Sequence, residues 1–524
     1  MFLRNQKDSN KQLREIEMKD LSKELIIYEE NKPKVLQALK DGRIEYIALS
    51  KWEFVDRFFG FIVATKFFEW CASSYPHPRL KEEIPIWFLL SCAIQMKLHT
   101  EVAFDNLPGI LQSGSILSQV KFNIGLKDGG FNYKNKKPRT SVVDQDTLRK
   151  YYRDTDSDKL EDWYNKDVVG WMRRHRGFEK EGIFVLDLSL LPVPDNPNYK
   201  GTGYLPIDEE GNFIDVSNLG EKERAKVKYR PCYGFTSLLH MSKAADYFLY
   251  AGMHLGAGTD SALKEGEKLV DGFVDKFGKG IIKWLIVDRG FIDGKMISRF
   301  KKDYRIDTLI PLKSNMDVFL DALRIASIDE VKWELYYEGN DSKGNFIREE
   351  ITGVEELVSW DSCEVPIHVA LMRRKNSENE IIQQWGLAST KAFKEPAEAF
   401  DLYHQRTQIE ERHRQLKLCW LLYKFTSPQF SLIMMHVVFT VLVYSLIQMY
   451  LMRKGLQDLA NKTINTLRQD EQLGKDAVIV YSKGYFGTFE VDEVVYIALT
   501  LEGAPRKRLT KWIKDFKSRR IRAP

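Results

Sequence analysis

The chain has 524 residues, 44% of them hydrophobic and 12% aromatic, which is enough for roughly three or four packed domains and excludes a disordered or fibrous protein. Lys and Arg total 79 against 74 Asp and Glu, and a net charge of +5 is too mild to mark a nucleic-acid binder by itself. The five cysteines form no Cys-x-x-Cys pair, which argues against a disulfide framework or a thiolate zinc site and for a reducing, cytoplasmic setting.

The first twenty residues, MFLRNQKDSNKQLREIEMKD, carry no apolar signal core, which argues against secretion. Residues 1–178 are expected to form a helical, DNA-binding region. KELIIYEENKPKVLQALKDG has a helical period ending at Gly42, and IPIWFLLSCAIQMKLH reads as a buried helix. DQDTLRKYYRDTDSDKLEDWYNKDVVGWMRRH reads as two helices with Asp156 or Ser157 as the N-cap between them. The loop KNKKPR groups Lys134, Lys136, Lys137 and Arg139 beside Tyr133, a pattern that suits the phosphate backbone of DNA. A plain helical scaffold fits the same region.

At residue 182 the texture changes. GIFVLDLSLLPV is apolar and β-branched without a helical period, so it predicts a buried strand carrying Asp187. CYGFTSLLHMS and DYFLYAGMHLG predict two more strands, followed by a helix from Ser261 to Phe277. The strand IIKWLIV then ends in Asp288, a helix runs from Asp293 to Phe300, and DTLIPL is a further strand. Three strands, helix, strand, helix, strand is the order of a ribonuclease H-like core. The expected class is therefore α/β, a mixed sheet flanked by helices. The first part of this core spans 179–312. Short alternating runs over 313–392 predict a β-rich insertion, 393–425 supplies the final core helix, and 426–524 returns mostly to helix. FSLIMMHVVFTVLVYSLIQMYL is long enough to span a bilayer, but it stands alone and carries His436 and Gln448, so a buried core helix and no membrane partner are expected. The C-terminal tail from Arg506 holds nine basic residues against Asp515, with Trp512 and Phe516 among them, and fits either a DNA contact or a solubilising terminus.

The stretch LYHQRTQIEERHRQLKLCW, 402–420, repeats every seven residues. At about 100° per residue, Leu402, Ile409 and Leu416 share an apolar stripe, while Tyr403, Arg406, Glu410 and Lys417 fall in an adjacent sector roughly 60° wide. One helix would thus present a phenol, a guanidinium, a carboxylate and an ammonium along about 21 Å of one side. Glu411 points about 100° away. A solvated helix face with Glu410 paired to Arg406 and Arg414 fits the same spacing. Asp187 lies inside a strand and Asp288 at the end of another, where an unpaired charge costs several kcal/mol. Asp288 could cap the next helix, and Asp187 could pair with a base. Together with Glu410, though, the two supply the hard oxygen donors that Mg²⁺ prefers.

YHQRTQIEERHRQLK resembles the Tyr-x2-Arg-x3-Glu-x6-Lys signature of a large group of bacterial insertion-sequence DDE transposases at all four positions, Tyr403, Arg406, Glu410 and Lys417. VDRGF around Asp288 resembles that group's second acidic motif, and FVLDLS around Asp187 resembles its first, with Leu188 and Ser189 where many members place Gly or Thr. Asp195 is the alternative first ligand, but its Pro-rich loop makes Asp187 the better candidate. The long stretch between Asp288 and Glu410 matches the group's β-stranded insertion.

The resemblance implies a cytoplasmic, nucleoid-associated bacterial transposase with Asp187, Asp288 and Glu410 as catalytic metal ligands. Two Mg²⁺ ions, with Mn²⁺ as a substitute, would serve cleavage and joining. Tyr403, Arg406, Lys417 and Arg289 would contact double-stranded DNA, both the terminal inverted repeats and the target, within a homodimeric synaptic complex. A DNA-binding relative that no longer cuts, and a ribonuclease H-like nuclease that does not join strands, are the alternatives. Trp333, Trp360 and Trp385 of the insertion are candidates either for stacking on a flipped base or for sheet packing.

Overall fold

The structure is a computed structural model that describes residues 26–27, 29–44, 46–50, 53–79, 84–104, 122–123, 145–216, 220–224, 226–341, 343–468, 470, 477–483 and 485–520. The chain divides into two compact units, one of residues 1–163, 419–443 and 462–524, the other of 164–418 and 444–461. These limits cut across the sequence-based boundaries at 178 and 425.

The second unit is α/β. Its strands are β1 (Gly182–Pro192), β2 (Gly203–Ile207), β3 (Lys228–Met241), β4 (Phe248–Ala257), β5 (Ile282–Ile286), β6 (Asp307–Pro311), β7 (Glu334–Asn340), β8 (Phe346–Leu357), β9 (Ile367–Lys375) and β10 (Ile381–Ser389). They form one ten-stranded mixed sheet in the order β7-β8-β9-β10-β6-β5-β1-β3-β2, with β4 also on β3. The β1–β5 and β5–β6 pairings are parallel and all others antiparallel. Parallel neighbours need a crossover, supplied here by α1 (Ala262–Phe277) before β5 and α2 (Gly294–Arg299) before β6. Gly266 lets α1 approach the sheet, because a Cβ there would lie 2.8 Å from the Phe291 ring and 3.2 Å from Leu186.

The predicted β-rich segment is an antiparallel meander, β7 to β10, whose last strand pairs with the free edge of β6. It lengthens the core sheet, after a helix α3 (Asp317–Ala326) that sequence periodicity did not single out. Two helices follow, α4 (Pro396–His404) and α5 (Thr407–Leu418).

The first unit holds two cores. Helices Glu53–Ala64, Phe67–Ala72, Ile86–Leu98, Gln145–Asp154 and Ser157–Trp163 form one, together with the 430–443 part of the helix Phe430–Lys454. Asp156 is the cap between two of them, accepting from Lys159 N at 3.1 Å. The helix Phe430–Lys454 is long and apolar enough to cross a membrane, yet 89% of its most apolar window is buried within the protein. The second core adds a small sheet to flanks expected to be mostly helical. Tyr46–Ser50 pairs with Ala477–Ser482, which pairs with Tyr485–Glu490, which in turn carries the short parallel strand Glu29–Glu30. The helical period read up to Gly42 is real only from Lys32 to Lys40, where Asn31 accepts from Lys34 N and Pro33 sits in the first turn. Val35, Leu39, Val478, Val480 and Phe489 fill the space between helix and sheet. The basic tail forms a helix, Gly503–Arg520, whose Trp512 and Ile513 pack on this core. Lys134, Lys136, Lys137 and Arg139 lie outside the described residues.

Candidate functional site

Backbone register brings the first two carboxylates together. In the parallel pairing of β1 and β5, Val185 lies opposite Ile286, so Asp187 and Asp288 each stand two residues further along neighbouring chains. Adjacent strands run about 4.8 Å apart, which places both side chains at one level of the sheet end. Asp187 faces Ser237 across the other edge of its strand. Asp288 follows β5 and turns the chain into a short 3-10 helix, its Oδ1 accepting from Gly290 N at 2.7 Å.

The third acid arrives from α5, and here the structure departs from the single heptad helix. The helix breaks between His404 and Thr407, where the Thr407 hydroxyl donates to the His404 carbonyl at 2.6 Å and competes with the helical ladder. Tyr403 therefore lies in the last turn of α4, Arg406 sits in the turn, and Glu410 and Lys417 ride on α5. The buried face of α5 is Ile409, Arg412, His413, Gln415 and Leu416, so the apolar stripe holds but shares its face with three polar groups.

Arg406 joins the three acids. Its Nη2 lies 3.0 Å from Asp187 Oδ1 and 3.7 Å from Asp288 Oδ2, and its Nη1 lies 2.9 Å from Glu410 Oε1. The guanidinium is 12% exposed and Asp187 13%, whereas Glu410 is 64% exposed. Of the two simpler expectations for the aspartates, Asp187 does pair with a base, whereas Asp288 caps only the three-residue 3-10 turn Arg289–Phe291 and the next helix is capped by Asp293. Burial and the nearby Asp187 raise the Asp288 carboxyl above its ordinary value, against the opposing pull of Gly290 N–H and Arg406. The Arg406 Nε is buried without a hydrogen-bond partner.

His413, which sequence reasoning missed, lies on the other side of Asp187. Its Nε2 is 3.3 Å from Asp187 Oδ2 but without hydrogen-bond geometry, and its Nδ1 lies 3.3 Å from the Tyr250 hydroxyl. Burial drives its pKa down, which favours the neutral ring despite the neighbouring carboxylate. The signal was in the sequence: a histidine four residues after Ile409 and three before Leu416 lies on the apolar stripe.

The remaining candidates separate clearly. Glu411 is bound to Arg414 at 2.6 and 2.7 Å and to Gln415 at 3.1 Å, which holds its carboxyl down at about 2 and directs it away from the two aspartates. Asp195 is exposed and accepts from the Tyr204 hydroxyl at 3.0 Å, apart from this cluster. Arg289 is exposed on the turn after Asp288. The Tyr403 ring packs 6.3 Å from Trp385, which also meets Phe400 at 5.1 Å, so Trp385 packs the base of α4. Trp333 donates to the Ala326 carbonyl at 3.1 Å and lies under Arg373 at 4.2 Å, occupied by packing and cation–π contact.

Among the described residues no group of three His, Cys, Asp or Glu side chains is disposed to hold a metal ion, and the Arg406 guanidinium lies against all three acids. The donor set itself fits Mg²⁺: oxygen ligands, two of them fixed by strand register and the third on a short helix. A divalent cation and the guanidinium would compete for the same oxygens. Compared with known proteins, the chain matches no protein-family model and no curated protein.

Proposed function

We propose that the chain is a DDE transposase that binds the ends of a DNA transposon, cleaves them and joins them to target DNA. The observation that carries this reading is the convergence of Asp187, Asp288 and Glu410, from two parallel strands and a helix, on one guanidinium. The sheet supports it too. Three antiparallel strands, β4-β3-β1, continue into two parallel ones, β5 and β6, which is the order of a ribonuclease H-like core.

Asp187, Asp288 and Glu410 would hold two Mg²⁺ ions, or Mn²⁺, whose chemistry is to activate a water or 3′-hydroxyl and to neutralise the leaving oxygen. The chain's own residues do the rest. Arg406 keeps three like charges together in the DNA-free protein, and a DNA phosphate draws the guanidinium away through charge-assisted, forked hydrogen bonds. His413 stays beside Asp187 on its far side when Arg406 leaves. Lys417 and Arg289 add cationic contacts to the DNA backbone, and a homodimer pairs two transposon ends in one cytoplasmic complex.

A second reading, a DNA-binding protein that does not cut, is favoured by one observation. The Arg406 pairs already satisfy the acids without a metal. Incubation of the protein with a supercoiled donor plasmid and Mg²⁺, followed by sequencing of the products, separates these readings. Integrated ends flanked by a short target duplication are expected. Nicks without joining would mark a nuclease, and binding without nicks the second reading.

A further inference from the structure

A separate site lies in the first unit, and its reading is independent of the proposed function. A cavity of about 240 Å³ opens beside the helix Ile86–Leu98 and the segment 424–436. Among the fifteen described residues that line it none is Asp or Glu, whereas Lys97, Arg149, Lys424 and His436 all contribute to the wall. The rest is largely apolar, with Phe104 and Phe425 among the larger side chains.

Lys97 sets the chemistry. The residue is 3% exposed, and among the described residues the one hydrogen-bond partner of its amine is His436 Nδ1, at 2.5 Å. His436 Nε2 lies 3.1 Å from the Leu421 carbonyl, so that nitrogen carries the ring proton and Nδ1 is left as an acceptor for the amine. His436 is therefore a neutral acceptor, and burial beside Lys97 keeps it so. Arg149 differs, because its Nε and Nη2 are engaged by Asp146 at 3.3 and 3.1 Å. A buried ammonium without a counter-ion is costly, and it can be relieved by loss of its proton or by an anion in the cavity. Desolvation lowers the Lys97 pKa to about 7, so both forms are accessible near neutrality.

We propose that this cavity binds a small amphipathic anion, a carboxylate or phosphate head on an apolar body, with Lys97 gripping the head. The volume of about 240 Å³ lies just under the ~300–1,000 Å³ of drug-sized sites, which limits the ligand to a small one. The apolar walls exclude a bare inorganic anion as the best fit.

Titration calorimetry on the full chain, with sodium octanoate, octanol and inorganic phosphate as probes, tests this. Octanoate binds at one site, at least tenfold more tightly than octanol, and Lys97→Met weakens octanoate at least tenfold. Phosphate gives no saturable heat. A second measurement needs no variant. At pH 8 octanoate draws a proton onto Lys97, so the binding heat differs between Tris and Hepes buffers. Equal affinity for octanoate and octanol, unchanged octanoate binding in Lys97→Met, or equal heats in the two buffers would each overturn the assignment. Phosphate binding as tight as octanoate would overturn the amphipathic part of it.

Discussion

Two buried cations of this protein live in opposite surroundings. In the unit with the ten-stranded sheet Arg406 faces three carboxylates, and in the other unit Lys97 faces a neutral histidine and, among the described residues lining its cavity, no acid. The residue types follow from that difference. A guanidinium stays charged at any ordinary pH and must be paired when buried, and its planar fork can hold several carboxylates at once. An ammonium can shed its proton when desolvated, so lysine is tolerated where a pairing acid is missing. A permanent charge therefore marks a place where acids must be held together, and a titratable one marks a place where an anion can come and go.

The largest expected effect concerns the acids around Arg406. Glu410→Gln leaves DNA binding in place and abolishes nicking of an end-containing plasmid; nicking at the wild-type rate would remove Glu410 from the site. Arg406→Ala leaves the buried Asp187 and its neighbours uncompensated, and it should cost about 3 kcal/mol in urea unfolding. A loss under about 0.5 kcal/mol, the range of ordinary surface substitutions, would show that the pairs contribute nothing.

Lys97 should behave in the opposite way. Its folded pKa is lowered to about 7, so the unfolded chain binds the proton more tightly, and stability rises as pH climbs from about 7 towards the free-lysine range. Lys97→Met removes that penalty and should stabilise the ligand-free protein by about 1–3 kcal/mol at pH 6, with the gap to wild type narrowing at higher pH. His436, Arg149 and Lys424 face the same cavity, and none of them supplies a negative charge that would reverse the sign. A pH-independent difference would show that the Lys97 charge is not the cause.

Smaller effects sharpen the contrast between neighbouring residues. Lys417→Ala should weaken end binding and reduce the slope of log affinity against log salt by about 1, as loss of one phosphate contact requires. Glu411→Gln, with its partner Arg414 exposed on the helix surface, should change stability by less than about 0.5 kcal/mol and leave nicking unchanged.

The central strands were legible because buried strands leave apolar runs without a period, one interrupted by Asp187 and the other followed by Asp288. That Glu410, and not Glu411, faces Arg406 was legible from helical spacing alone. The break at Gln405 was not, since it rests on a threonine hydroxyl bonding backwards and carries no proline or glycine. Arg406 as the hub of the acids was equally hidden. A helical wheel places it beside Glu410 but says nothing of Asp187, which lies far away in the chain. The pairing of Tyr46–Ser50 with Ala477–Ser482 joins opposite ends of the sequence, and local pattern cannot report such a partner.

Binding of Mn²⁺ to the full chain, followed by electron paramagnetic resonance with and without a transposon-end duplex, tests most directly whether the three acids share a divalent cation. With the duplex bound and Arg406 drawn off, wild-type protein should take up Mn²⁺ that Asp187→Asn does not; without DNA its uptake should be weak. Identical uptake by wild type and Asp187→Asn in the presence of DNA would contradict the account.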